Sequence, residues 1–287
     1  MKKLELKKPR PTLRTPDRLY RQKILRSVEA LHQYAKPNWI YRGQRSCEWE
    51  LKTSIERCFE RERIASRNRF DLEEELYRDF TRAFHQYSVQ VPEKASRVEI
   101  YSLMQHHGAP TRLLDCTYSI YVAAYFALEH AEDDCAIWVM NAPSLLSESI
   151  PLLLHAGKTR ARELDSRTYE TYDELAHEMF FTTPFVPCVS TVNAFRLNER
   201  SRAQKGIFSI PGDISIGFME NLRALSMSQG SGDILKLIVP HRMRGRFLSR
   251  LWDMNITRKS LFPGLDGYAQ SLGVYHPSFI PPKRGKY

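Results

Sequence analysis

Residues 104–130, MQHHGAPTRLLDCTYSIYVAAYFALEH, bring several chemically capable side chains into one short run. His106, His107 and the triplet Asp-Cys-Thr at 115–117 suggest a Cys–His nucleophile and base, but such pairs are recognised by geometry and the spacing here predicts none. Adjacent histidines point in different directions on a helix or a strand, and HExxH spacing is absent, so metal binding is not predicted. The simplest interpretation of Cys116 is a buried, inert thiol.

The elements around this run are predicted by periodicity and by turn residues. Short aromatic, apolar and β-branched runs predict strands at 38–44 (NWIYRGQ), 111–117 (TRLLDCT) and 135–141 (CAIWVMN). A helix is predicted over 97–107, since Gly108 and then Pro110 follow in the order expected at a helix end. The nearly uniform apolar stretch 118–131 predicts a buried helix.

The remaining segments indicate the fold class. Apolar residues recur at helical spacing over 18–34, and residues 53–87 predict one long or two consecutive amphipathic helices. The polar stretch 143–178 is the expected insertion. Three further strands and one helix are predicted late in the chain, at 184–192, 203–212, 233–240 and 241–254. Helices early and strands clustered later favour an α+β fold around a mixed, mostly antiparallel sheet with flanking helices.

Composition limits the function classes. The 287 residues carry 43 Lys and Arg against 33 Asp and Glu, a formal charge of +10 that would attract anions such as nucleic acid. No apolar run is long enough to span a bilayer, and the N-terminus lacks the features of a signal peptide, so we expect a cytoplasmic protein without a membrane partner. Five widely spaced cysteines without a CxxC pair predict reduced thiols. Neither GxGxxG nor GxxxxGK[ST] is present.

Three regions are expected along the chain. Residues 1–17 are basic and contain three prolines, which predicts an extended N-terminal arm that is either solvated or in contact with nucleic acid or a partner. Residues 18–275 are predicted to form a single domain. Residues 276–287 are predicted to be a C-terminal coil.

Three motifs occur along the chain: Tyr41-Arg42-Gly43-Gln44; Gln105-His106, Gly108, Pro110-Thr111-Arg112-Leu113-Leu114-Asp115 and Thr117; and Asn198, Arg200, Gln204, Gly206 and Phe208. Together they resemble the motifs of the FRG domain, a family found in many bacterial and phage proteins. The segment LFPGLDGYA (261–269) resembles the closing segment of the family, so the resemblance covers about residues 38–272. Cys116 stands where the family usually has Trp, which further favours an inert thiol.

A second, weaker resemblance is to ADP-ribosyltransferases of the Arg-Ser-Glu class, and it implies a related fold with NAD as substrate. It implies that Arg42 holds the NAD phosphate or nicotinamide ribose, that Thr117 with Asp115 occupies the hydroxyl-bearing strand, and that Gln204 lies near the acidic position. Together these give Arg42, Asp115, Thr117 and Gln204 as catalytic candidates. The candidates for NAD binding are Tyr41, Arg42, Gly43, Gln44, His106, Thr111 and Arg112.

The sequence departs from the transferase pattern because Gln204-Lys205-Gly206 has no carboxylate where those enzymes place glutamate. Glutamine hydrogen-bonds a ribose hydroxyl but does not offset developing positive charge. Either Asp115 or Glu199 supplies that charge, or the domain binds NAD or nucleic acid without catalysis.

The resemblance implies an NAD-dependent toxin or antiphage effector that modifies a macromolecule. The basic charge favours RNA or DNA as the target, and a neutralising antitoxin protein is a possible partner. The alternative is a non-catalytic module that binds nucleic acid or a partner. Structural roles are also open: Arg42 pairing with Asp115 inside the sheet, His106 as a partly buried histidine, and Gln204 with Gly206 forming a tight turn.

Overall fold

The computed structural model describes residues 19–87, 95–166, 169–194, 199–227 and 232–273, with the side chains of 166–172 excepted. The predicted basic arm at 1–17, the predicted coil at 276–287 and Asn198 of the third motif lie outside the described residues.

A single mixed sheet forms the centre of the described part of the chain. Its strands run in the order β1-β7-β4-β2-β3-β6-β5; only the β1–β7 pair is parallel, and the other five pairs are antiparallel. The strands are β1 (Arg21–Ile24), β2 (Trp39–Gln44), β3 (Leu114–Thr117), β4 (Cys135–Asn141), β5 (Val189–Val192), β6 (Gly206–Pro211) and β7 (Ile234–Val239). The predicted α+β fold with a mostly antiparallel sheet is therefore confirmed.

Helices cover both faces of this sheet. They are α1 (Ser54–Arg61), α2 (Arg69–Ala83), α3 (Arg97–His106), α4 (Ile120–Leu128), α5 (Ala142–His155), α6 (Glu163–Ser166), α7 (Tyr169–Phe180), α8 (Glu199–Ala203), α9 (Phe218–Arg223), α10 (Arg244–Asp253), α11 (Arg258–Leu261) and α12 (Leu265–Ser271). Short 3₁₀ helices occur at Glu29–Tyr34, Ser66–Asn68, Phe84–Gln86, Thr159–Arg162 and His241–Met243.

Strand β4 explains how one sheet supports two cores. Ile137 and Val139 pack with α4 and α10 on one face, and Trp138 and Met140 pack with α3, α5 and α7 on the other. Side chains of a strand alternate between faces, so a strand covered on both sides needs apolar residues at every position. The uninterrupted run CAIWVMN meets that need.

Most of the predicted elements are confirmed. The strand predicted at 135–141 has the predicted bounds, the one predicted at 38–44 begins one residue later, residues 53–87 form two consecutive main helices, and the predicted helix at 97–107 is α3. The Ser96–Glu99 capping box begins α3, and Gly108, with φ of +87°, follows its end.

Two predictions are wrong. Residues 18–34 do not form one helix, because Arg21–Ile24 pairs in parallel with β7 and only Glu29–Tyr34 is helical. The open edge of β7 is a long-range partner that overrides the local periodicity. The stretch 143–178 is not an insertion beside the domain, because Leu145 and Leu153 of α5 are fully buried in the main core.

The sheet opens between β2 and β3. Strand β2 pairs with β4 along its whole length, but it pairs with β3 only where Tyr41 faces Thr117. Beyond that point β3 continues beside β6, with Leu114 facing Ser209. The result is a gap in the middle of the sheet, bordered by Arg42 and Asp115.

Within the described ranges, none of the helices combines the length and the apolar character that crossing a bilayer requires.

Candidate functional site

A cavity of about 280 Å³ lies at the opening between β2 and β3. Four groups of residues surround it: the facing parts of β2, β3 and β6, the end of α3, Phe126 of α4, and α8 with the turn after it. The lining residues are Tyr41, Arg42, Gly43, Ser102, Gln105, His106, Asp115, Cys116, Thr117, Phe126, Arg200, Ser201, Gln204, Gly206, Ile207 and Phe208. All four predicted catalytic residues are among them.

Arg42 crosses the opening of the sheet. Its Nη1 donates a hydrogen bond of 2.5 Å to the backbone carbonyl oxygen of Asp115. Its Nε is buried and has no hydrogen-bond partner in the described part of the chain. The predicted side-chain pairing of Arg42 with Asp115 is therefore replaced by a bond to the backbone, which holds the guanidinium in place without neutralising it.

The charges around the cavity are mostly positive. Arg42 and Arg200 line it together with one carboxylate, Asp115, and Arg57 lies close enough for its charge to interact with Arg42 and Asp115. Burial lowers the pKa of Arg57 and that of Arg200; the charge of Asp115 opposes both shifts. These guanidinium groups are partly desolvated and incompletely neutralised, as is typical of an anion-binding site.

Asp115 is exposed, and its carboxylate makes no hydrogen bond or ion pair with the residues that the structure describes. Glu199, the other carboxylate considered from the sequence, begins α8 and is not among the described residues that line the cavity. Of the two alternatives, Asp115 is the acid that a ligand in the cavity would meet.

Gly43 lets the strand touch the helix behind it. A Cβ at this position would lie 2.0 Å from the carbonyl oxygen of Ala123 in α4. Tyr41 is buried on the same face, and its hydroxyl donates to the carbonyl oxygen of Tyr34 at 2.8 Å and accepts from the backbone N–H of Lys36 at 2.8 Å. These two residues position β2, and Arg42 between them points to the opposite side.

Thr117 joins β3 to the turn after α8. Its hydroxyl donates to the carbonyl oxygen of Gln204 at 2.7 Å and accepts from the backbone N–H of Ser119 at 3.0 Å. The Gln204 side chain donates through Nε2 to the carbonyl oxygen of Leu261 at 3.1 Å. Both side chains therefore help to assemble the cavity wall, and Gln204 keeps Oε1 as an acceptor.

Three of the residues predicted to bind NAD lie outside the cavity lining. Gln44 donates to the carbonyl oxygen of Glu50 at 3.0 Å and accepts from the indole N–H of Trp138 at 2.7 Å. Arg112 is 1% exposed and forms a two-pronged ion pair with Glu73. Both side chains are used inside the protein, which assigns them structural roles.

Thr111 is the third of these residues, and it connects the elements that lead into β3. Its hydroxyl donates to Oε1 of Gln105, and its carbonyl oxygen accepts from the backbone N–H of Ile55 at 3.0 Å and from Ser54 Oγ at 3.1 Å. Thr111 thereby fixes the start of α1 and the end of α3 beside the cavity.

His106 and Cys116 both line the cavity but differ in chemical character. Partial desolvation and the neighbouring charges of His107 and Arg200 lower the pKa of His106, which favours a neutral imidazole. Burial raises the pKa of Cys116 to about 12, so its thiol stays protonated at neutral pH. The inert thiol expected from the sequence agrees with this environment.

Sequence reasoning assigned no role to several cavity residues. Arg200 and Phe208 were present in the third motif, and Phe126 lies in the helix predicted to be buried. Arg200 also lies with its guanidinium carbon 4.7 Å from the ring centre of Phe262. The third motif could therefore have indicated Arg200 and Phe208 from the sequence. The aromatic walls formed by Phe126 and Phe208 depend on how α4 and β6 come together in the fold.

Fold and site together define an α+β domain with a basic, partly aromatic cavity at a split in its central sheet. Residues 37–135 match the family model of the FRG domain, so this part of the chain is similar to that domain. The matched segment includes Arg42, Asp115 and Thr117, whereas Arg200 and Gln204 come from beyond it. The comparisons with curated proteins and with solved structures returned no match.

Proposed function

We propose that the cavity binds NAD as a substrate and that the protein transfers ADP-ribose to a macromolecule, most favourably a nucleic acid. The observation that carries this proposal is the arrangement at the sheet opening. Arg42 is fixed by a backbone carbonyl, retains an unsatisfied buried Nε, and lines the cavity with Arg200 and with Asp115, the one carboxylate among the described lining residues.

A nucleotide phosphate fits the basic side of this cavity. A guanidinium presents a planar fork of donors that matches phosphate oxygens, and a partly desolvated site strengthens the attraction. The volume of about 280 Å³ lies at the lower end of ligand pockets, which suits the nicotinamide ribose phosphate half of NAD. The rings of Phe126 and Phe208 offer an apolar wall for the nicotinamide.

The reaction would break the bond between C1′ of the ribose and the nicotinamide nitrogen. The electron pair leaves with the ring, which departs as neutral nicotinamide, and the ribose passes through an oxocarbenium-like state as in glycoside hydrolysis. The carboxylate of Asp115 would stabilise that positive charge, and Oε1 of Gln204 would accept from a ribose hydroxyl. A nucleophilic oxygen or nitrogen of the target then bonds to C1′, and its proton passes to water.

The proposed target follows from charge. A formal net charge of +10 favours association with RNA or DNA through their phosphates. Modified nucleic acid would block growth, so the proposal includes a toxin or antiphage role, with an acidic antitoxin as the natural neutralising partner. Induced expression in bacteria should then arrest growth, and Asp115→Asn should relieve the arrest.

The decisive experiment measures nicotinamide release and label transfer from radiolabelled NAD, with total RNA, DNA or lysate as acceptors. We expect Arg42→Ala and Asp115→Asn each to reduce the rate by about 100-fold or more, as losing one preorganised electrostatic group does in other enzymes. Arg45→Ala is the matched control, because Arg45 follows the same strand, is exposed and packs on Trp49. If the wild-type protein neither releases nicotinamide nor transfers label, the transferase proposal fails.

A non-catalytic FRG module is the second candidate function, favoured by the absence of a carboxylate at the Gln204 position. It predicts salt-dependent binding of nucleic acid with no release of nicotinamide. Calorimetric titration with NAD, run beside the activity assay, separates the two: binding without turnover supports the module, and turnover excludes it.

A further inference from the structure

A second cavity, of about 300 Å³, lies at the other end of the β2–β3 pairing. Asn38, which immediately precedes β2, and Tyr118, which immediately follows β3, form one side of it. Leu146 and Ile150 of α5 form an apolar wall, and Thr191 of β5 and Asp165 of α6 also line the cavity.

Tyr118 connects this cavity to the first. Its neighbour Thr117 lines the first cavity, so two consecutive residues contribute to the two sites. The backbone N–H of Tyr118 donates to the carbonyl oxygen of Lys205 at 3.0 Å, and its hydroxyl lies 3.5 Å from Nδ2 of Asn193. The backbone of Tyr118 is therefore fixed beside β3, its hydroxyl makes one long contact, and 40% of the residue remains exposed.

The chemistry of the second cavity differs from that of the first. Among its described lining residues the only charged side chain is Asp165, which is exposed and repels phosphate. A carboxylate accepts hydrogen bonds from an amino group, as Asp and Glu do from the exocyclic amine of cytosine. A flat heterocycle that carries an amino group fits this combination of an aromatic ring, an apolar wall and one hydrogen-bond acceptor.

We propose that this cavity binds an unpaired nucleobase with an exocyclic amino group, stacked on Tyr118 and donating to Asp165. Single-stranded nucleic acid is read in this way, by stacking on aromatic side chains and by hydrogen bonds to the base edge. The base-binding site stands on its own geometry; its use as the acceptor site for ADP-ribose rests on the function proposed above.

Binding of fluorescent single-stranded oligonucleotides to the full chain, without NAD, tests the proposal. Fluorescence anisotropy compares oligocytidylate with oligouridylate, since uracil lacks the amino group, and parallel RNA and DNA series show which sugar is preferred. We expect cytosine to bind about tenfold more tightly than uracil. Asp165→Ala removes the acceptor and should therefore remove most of that preference.

Tyr118 variants test the stacking contact. Tyr118→Ala should weaken binding of both oligonucleotides by about tenfold, whereas Tyr118→Phe should preserve it. Tyr87→Ala is the control, because Tyr87 is 86% exposed on another part of the surface; thermal melting checks that each variant is folded. Equal affinity of the wild type for cytosine and uracil, or equal losses for Tyr118→Ala and Tyr87→Ala, would overturn the proposal. Because NAD is absent, the result does not depend on transferase activity.

Discussion

Arg112 and Glu73 form the most deeply buried ion pair among the described residues, with side chains 1% and 3% exposed. Arg112 Nε donates to Glu73 Oε1 at 2.7 Å, Nη2 donates to the other carboxylate oxygen, and Nη1 donates to the carbonyl oxygen of Phe180 at 2.5 Å. The guanidinium carbon also lies 4.8 Å from the ring centre of Phe181. The pair therefore joins α2, the approach to β3 and the end of α7.

Replacing Arg112 with methionine should lower the free energy of unfolding by about 3–5 kcal/mol, since it leaves the Glu73 carboxylate buried and unpaired. That is a large share of the ~5–15 kcal/mol that stabilises a typical domain. The double variant Arg112→Met with Glu73→Leu removes both charges, so it should be more stable than Arg112→Met alone.

Urea unfolding followed by circular dichroism and by tryptophan fluorescence measures these differences. Arg45→Met serves as the surface control and should change stability by less than about 0.5 kcal/mol. The reasoning is refuted if Arg112→Met costs less than about 1 kcal/mol, a loss too small for a buried charge that has lost its partner. It is also refuted if the folded variant loses NAD binding with unchanged stability, because Arg112 would then contact the ligand.

Two further predictions concern packing and pH. Gly43→Ala should cost about 3 kcal/mol or more in thermal or urea unfolding, since its Cβ would collide with helix backbone at 2.0 Å; in Gly206→Ala the nearest atom would lie 3.3 Å away and the cost should be about 1 kcal/mol or less. Equal losses in the two variants would contradict this account. Partial desolvation and the charge of Arg97 lower the pKa of His177 from its ordinary value of 6.5, so the unfolded chain binds more protons and stability falls as the pH drops below that value. His177→Gln should make this loss shallower in unfolding experiments between pH 7 and about pH 5, and an unchanged slope would count against the His177 imidazole as its cause.

Local sequence patterns determined most elements of the fold. The apolar run at 135–141 predicted β4 because a strand covered on both faces tolerates no polar alternation. The end of α3 followed from Gly108, whose conformation is costly for other residues. These features depend on residues that are close together in the sequence, so a sequence pattern is enough to predict them.

The strand at Arg21–Ile24 was decided by tertiary structure. Its periodicity suggests a helix, yet the unpaired edge of β7 offers backbone hydrogen bonds that the local sequence does not encode. The segment 143–178 is polar on average, so its composition does not show that one face of α5 is buried. That burial results from the packing of the helix on the sheet.

The candidate site divides in the same way. The motifs identified Arg42, Asp115, Thr117 and Gln204, and the fold brings all four to one cavity. A motif does not distinguish residues that face a ligand from residues that support the cavity from within the protein. Arg112 is of the second kind, because it is buried in an ion pair with Glu73.

The sequence alone determined which side chains were available and, through the alternation of a strand, that Arg42 points opposite to Tyr41 and Gly43. Tertiary structure decided what Arg42 meets there. The single pairing of Tyr41 with Thr117 lets the sheet open, and the arrival of α8 adds Arg200 from far along the chain. A cavity is a relation between surfaces brought together by packing, so its charge and shape appear only when distant segments meet.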